Sequence, residues 1–350
     1  MTITDAWQHK KEKREEGMRT FIKPKVTNIV AFICYWTGAD VLFYWLNRKA
    51  KRIVTFHNVL PDEWIKEVPS VGCMESVSAF TRILDIVAQR FSFSTNLNDS
   101  RSVTVTFDDG YLNQYEIAAE ILRRKGIPAV LFMTGNLVGA TPTESLVIDK
   151  ILLWNQFAPD SAVEKVFGNV VPRDVLWMKY IQPSYREDWR NRGVRFLEKL
   201  ESAYAIADIL QKLPQEWVRL RFTGISKKQI DDLRSRGWKV GWHTKTHFPL
   251  GMLDAEGKRW ELDSPDEYIC ECLSYPYGDI EAIGEESLSI ASELGYPCAL
   301  SNDPGYSIHR SNYFRQRFML LDGNRYMVHF VLSGAKYFLK FGKLLPKGDE

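Results

Sequence analysis

Val103-Thr104-Val105-Thr106-Phe107-Asp108-Asp109-Gly110 puts a run of β-branched and aromatic residues directly before two carboxylates and a glycine. The run reads as a strand, and the glycine permits a sharp exit from its carboxyl end. Adjacent carboxylates repel at such a position, so they are costly unless a cation binds one and the other is poised to move protons. The same tripeptide is also an ordinary turn, because Asp and Gly are preferred turn residues.

Outward from this strand the chain alternates short apolar runs with amphipathic stretches, the sign of βα units. Residues 52–56 read as a strand, 77–89 as a helix, 103–107 as a strand, 114–125 as a helix and 129–133 as a strand. Gly126, Ile127 and Pro128 stop the second helix. From 140 to about 215 the rhythm breaks into a Trp-, Tyr-, Arg- and Glu-rich insertion with helical stretches at 161–167 and 194–213. The alternation resumes with a strand at 219–222, a helix at 226–236 ended by Gly237, strands at 238–242 and 273–275, a helix at 281–295, and strands near 298–300 and 318–321. Six to eight strands with intervening helices predict a (β/α) barrel at 51–325, with residues 1–50 as an N-terminal helical extension and 326–350 as a C-terminal helix or tail.

Lys plus Arg number 46 against 44 Asp plus Glu, a formal charge of +2 that leaves no electrostatic footprint for nucleic acid. Five scattered cysteines argue against a disulfide scaffold and for a reducing compartment. Cys270 and Cys272 read as buried thiols, not as a zinc pair. Residues 26–46 are largely apolar but interrupted by Thr27, Asn28, Thr37, Gly38 and Asp40. The one uninterrupted run, Ile29 to Trp36, is too short for a span, and the stretch reads as a helix pair packed on the domain, with interfacial membrane attachment as the alternative. The basic, apolar stretch 336–345 would join either arrangement. A cytoplasmic setting follows, extending to the inner face of a membrane if the alternative holds.

Only six histidines occur, and His243 and His247 fall within five residues after the 238–242 strand. His-x-x-x-His brings two imidazoles to one metal, which a carboxylate from elsewhere completes while leaving positions open for water and substrate. A third turn, Ser274-Tyr275-Pro276-Tyr277-Gly278, follows another strand, and its backbone N–H groups are placed to face an oxyanion.

Taken in order, Thr106-Phe107-Asp108-Asp109-Gly110, His243-Thr244-Lys245-Thr246-His247 and Pro276-Tyr277-Gly278 resemble the three motifs of the polysaccharide deacetylases, the NodB-homology group also called carbohydrate esterase family 4. The likeness runs from about residue 52 to 320 and extends to Val54-Thr55-Phe56-His57-Asn58-Val59-Leu60-Pro61. It implies a partially open barrel with one divalent metal held by Asp109, His243 and His247, zinc first and cobalt, manganese or nickel as alternatives. Two departures stand out. Ser274 occupies the place of the family's third-motif Arg, and its late general-acid His has no clear counterpart, as in a branch whose ending Arg310 to Phe318 and Asp303-Pro304-Gly305 resemble.

With a metal-activated water, Asp108 takes the proton and the backbone N–H of Tyr277 meets the oxyanion. His57 is the candidate acid, with His309 behind it. Arg317, inward-pointing from the last strand and next to the first, is the candidate to hold Asp108 in place of the missing Arg. Pro276, Tyr277 and Trp242 would contact an acetylated saccharide, and the insertion's Trp154, Trp177, Tyr180, Tyr185 and Trp189 suit sugar faces or a packed helical subdomain. The expected activity is metal-dependent deacetylation, N-acetyl first, of a bacterial saccharide or surface-polysaccharide precursor. Hydrolysis of a C–N bond in a non-sugar amide or imide, and an inactive saccharide-binding barrel, are the alternatives. The oligomeric state is not legible.

Overall fold

Short apolar runs between helices become parallel strands buried on both faces, by helices outside and by one another's side chains inside. The computed structural model describes residues 26–68, 71–189, 194–269, 272–302, 312–320 and 323–345. Its strands are β1 Arg52–Phe56, β2 Asn58–Leu60, β3 Met74–Ser76, β4 Ser92–Phe93, β5 Ser102–Phe107, β6 Ala129–Met133, β7 Lys239–Trp242, β8 Leu273–Ser274, β9 Ala299–Ser301, β10 Arg315–Gln316 and β11 Phe318–Met319. Every residue of β1, β5 and β6 is buried.

The main sheet runs β10-β9-β8-β7-β6-β5-β1-β11, all parallel, with β4 added beside β5. Its two ends are one stretch of chain. Arg315 and Gln316 pair with Leu300 and Ser301 of β9, while Phe318 and Met319 pair with Val54 and Thr55 of β1. Arg317 lies between, its N–H donating to the Ser301 carbonyl at 2.9 Å. One segment thus joins both edges, and the fold is a nearly closed (β/α) barrel. Ile53, Val130, Phe132, Cys272, Cys298 and Leu300 form one core cluster. Phe56, Phe107 and Phe80 of the helix Val77–Ala88 make a second contact layer, with Trp238 stacked on Phe107.

The helices follow local chemistry. Ser226 and Gln229 form a reciprocal capping box ahead of Lys227–Ser235, and Gly126 ends Ala119–Lys125 in the left-handed conformation. Between β6 and β7 lies a helical insertion that includes Val147–Phe157, Gln182–Trp189, Arg195–Ala203 and Ile206–Lys212. Three readings need correction. Residues 219–222 are not a strand but the last turn of the helix Gln215–Phe222, which opens after Pro214. The 194–213 helix breaks where Tyr204 is extended, and the 281–295 helix breaks at Gly284. Of the C-x-C pair, Cys270 lies outside the described residues; Cys272 is buried, with its Sγ 2.6 Å from that of Cys298 on the neighbouring strand's approach.

The chain divides into two compact units, Lys51–Asp322 and, joining both ends, Met1–Ala50 with Gly323–Glu350. In the second, helices Val26–Trp36 and Ala39–Leu46 meet at 84°. They pack through Ala31 and Cys34 against Phe330 and Ala335. Among the described residues no single helix is long and apolar enough to cross a membrane.

Candidate active site

The carboxyl ends of parallel barrel strands are where loop residues converge. Here β1 delivers His57, β5 delivers Asp108 and Asp109, β7 delivers His243, β8 leads to Pro276 and Tyr277, and the closing strand delivers Arg317. The buried Gln114 amide donates to the carbonyls of His57 and Asp108, tying the first two strand ends together. Gly110 is required where it stands: its φ is +101° and a Cβ there would overlap the Met133 side chain.

His243 Nε2 and His247 Nε2 each lie 3.5 Å from the same oxygen, Asp109 Oδ1. One ligand atom from each of the three residues falls within 4.8 Å of the others, and all three are buried. Asp109 Oδ1 has no hydrogen-bond partner. An orphaned buried carboxylate oxygen facing two imidazole nitrogens is a poor protein interior and a good cation site. Burial pushes the Asp109 carboxyl up to about 7 and the His243 and His247 imidazoles down to about 3 and 4, so both rings are neutral and their lone pairs available. His243 is oriented by its Nδ1–H, which donates to the Ser274 carbonyl at 2.7 Å, turning Nε2 towards Asp109. His247 is placed by a loop in which Thr244 and His247 both have positive φ and the Thr244 hydroxyl accepts the His247 N–H at 3.1 Å. Glu261 holds that loop through the Thr246 N–H.

Asp108 is gripped from the other side. Arg317 Nη1 lies 2.7 Å from Asp108 Oδ1 and Nη2 lies 2.6 Å from Oδ2, with both side chains inaccessible. Burial alone would raise the Asp108 carboxyl, but the guanidinium outweighs it and holds the group well below the usual carboxylate range. His57 Nε2 stands 3.8 Å from Asp108 Oδ2 and its side chain keeps 17% exposure, so it faces both the carboxylate and solvent.

A polysaccharide deacetylase family model matches residues 96–155, which contain the Asp108-Asp109 strand end and the start of the insertion. This stretch resembles the polysaccharide deacetylases. No curated protein sequence matches it. Among solved structures the chain is similar to the deacetylase PplD of Streptococcus pyogenes, determined with acetate, at 13% identity and TM-score 0.45, covering 78% of this chain and 93% of that one. It is similar to IcaB of Ammonifex degensii at 16% identity and TM-score 0.45, covering 80% and 96%. A de-N-acetylase of Aggregatibacter actinomycetemcomitans follows at 13% and 0.40, covering 78% and 95%.

The remaining expected site residues fall in different places. Pro276 is buried in the third-motif turn, and the Tyr277 ring lies edge-on to His247 at 4.8 Å with φ at +63°. Trp242 is corrected: its indole N–H donates to the Glu261 carbonyl and its ring packs on Tyr268 with 3% exposure, so it is wall and presents no stacking face. His309, Arg310 and Asp303 to Gly305 lie outside the described residues. In the insertion Trp154 is core, whereas Tyr185 reaches the site, its hydroxyl 2.7 Å from that of Tyr277. Sequence reading missed a buried pair behind the site, Asp149 with Arg221 at 2.7 Å, joined by the Tyr111 hydroxyl. Each belongs to an element with no motif around it, and Arg221 sits in the stretch misread as a strand.

Proposed function

We propose that this chain is a metal-dependent deacetylase that removes N-linked acetyl groups from a saccharide, on the path to a bacterial surface polysaccharide. The observation that carries the reading is the convergence of His243 and His247 on the unpartnered Asp109 Oδ1, beside an Asp108 kept ionised by Arg317. Asp109, His243 and His247 would hold the cation, and one carboxylate with two imidazoles suits zinc. Bound there, a divalent cation supplies Lewis acidity and a water of lowered pKa.

The chain's own groups do the rest. Asp108, fixed at both oxygens, accepts the proton released on attack at the acetyl carbonyl; each oxygen keeps a further lone pair for it. His57 is within reach of the same carboxylate and partly open to solvent, the position for a donor that protonates the departing nitrogen. The Tyr277 N–H serves the oxyanion, and its ring with Tyr185 bounds the acyl side.

Acetate release from N-acetylated oligosaccharides, measured with metal content on the same samples, tests this. Chelation should abolish release and added zinc or cobalt should restore it. His243→Ala with His247→Ala should empty the site, and Asp108→Asn should keep metal while losing turnover. Stoichiometric metal in the double variant, or full activity in Asp108→Asn, overturns the assignment; activity on a cyclic imide but no acetylated sugar would place the substrate elsewhere.

A further inference from the structure

Eleven of the sixteen large hydrophobic side chains exposed among the described residues belong to the small unit made by the two chain ends. They are ordered. Ile29, Phe32, Ile33 and Trp36 repeat at i, i+3, i+4, i+7 on the first helix, so they form one stripe, and Trp36 is 67% exposed. After Gly38 the second helix continues it with Leu42 and Trp45. Apart from Phe32, whose ring meets Tyr326 edge-on at 5.1 Å, this stripe is not the face that holds the unit together. Packing uses Ala31, Cys34, Phe43, Phe330 and Ala335. Asp40 is turned inward, 3.9 Å from His329 Nδ1, to which the Tyr44 hydroxyl also lies at 3.2 Å.

Among the described residues of the unit the exposed charges have one sign. Its described residues include Arg48, Lys49, Arg325, Lys336, Lys340 and Lys343, and their one acid is the buried Asp40. Arg48 also lies over the exposed Trp45 ring at 5.0 Å, an aromatic and a cation together at the edge of the apolar stripe. No single helix among the described residues is long enough to span. Eleven helical residues reach about 16 Å against a hydrocarbon core of about 30 Å, and the next helix turns away by 84°.

We propose that this unit is a monotopic membrane anchor, lying in the interface of an anionic bilayer with the stripe from Ile29 to Trp45 at the acyl boundary and the lysines of 336–343 at the headgroups. The full chain should co-sediment with phosphatidylcholine vesicles containing phosphatidylglycerol about tenfold or more tightly than with phosphatidylcholine alone, and salt should weaken binding. Trp36→Glu with Trp45→Glu should weaken it by about tenfold or more, as should Lys336→Gln, Lys340→Gln and Lys343→Gln together. Circular dichroism melts check that the variants fold, and quenching of wild-type tryptophan by brominated lipid gives a readout free of mutation. Protein left in the supernatant at low salt, equal binding to both vesicles, or unchanged binding by the tryptophan variant overturns the proposal. So does a concentration-dependent dimer that the tryptophan variant makes monomeric while no vesicles bind.

Discussion

Arg317 and Asp108 are one functional unit made from the two ends of the barrel. Both side chains are out of water, so the pair survives on its two parallel hydrogen bonds, and neither group tolerates the loss of the other. Arg317→Lys keeps the charge but not the fork. Turnover should fall about tenfold to a hundredfold, the worth of one hydrogen bond to a charged group, with metal content unchanged. Arg317→Ala should in addition lose about 3–5 kcal/mol in urea unfolding, because Asp108 is then a buried charge without a partner. Normal kcat in the Lys variant would reduce the clamp to a structural pair. The residues that sequence revealed are those whose signal is local: Asp108 beside Asp109, and His243 near His247. Arg317 was legible only through topology, since a last strand beside the first can place its arginine at the first strands' ends. Three site residues, Asp109, His247 and Tyr277, have left-handed backbone that side chains rarely adopt, each costing about 1–3 kcal/mol, and composition gives no hint of that.

Among the elements, the insertion is more than a covering layer. The helix Gln182–Trp189 brings Tyr185 to Tyr277, and Trp189 of the same helix packs on Phe248, just beyond His247. Tyr185→Phe should lower kcat/KM by about twofold to tenfold, the value of one neutral hydrogen bond, with melting temperature little changed. An unaltered kcat/KM would separate the insertion from substrate handling. A second element-level prediction concerns β3, where burial pushes Glu75 up to about 8 from 4.5 and leaves its Oε2 without a hydrogen-bond partner. The folded chain keeps this proton over a range in which the unfolded chain has released it. The stability contribution is therefore full below about pH 4.5 and is lost as pH rises towards 8. Glu75→Gln does not titrate, so its melting temperature relative to wild type should climb across that window; a constant offset would show that Glu75 is ionised in the fold. Strands bounded by turns were readable because burial on both faces writes a continuous apolar run. Arg219 to Phe222 was misread because four residues alternating basic and apolar suit either a strand or the end of a helix, and the deciding feature was Pro214 upstream. Asp149 with Arg221, and Cys272 with Cys298, are contacts between segments far apart in the chain, which no local pattern records.

At the scale of the molecule, the sequence's own ends build the apolar, basic unit and its middle builds the barrel. The closing strand has a consequence for how the protein is made. Residues 315–319 are the last strand of the barrel unit and bond to both β9 and β1. A nascent chain must therefore wait, with both edges unsealed, until nearly the whole unit has been synthesised. Asp108 is added to the chain 209 residues before Arg317. Through that interval its carboxylate lacks the guanidinium that lets it be buried, and β1 and β9 present open backbone of the kind that recruits other chains. Ring closure and completion of the Asp108–Arg317 pair are then a single late event, so the carboxylate cannot gain its guanidinium before the exposed edges are lost.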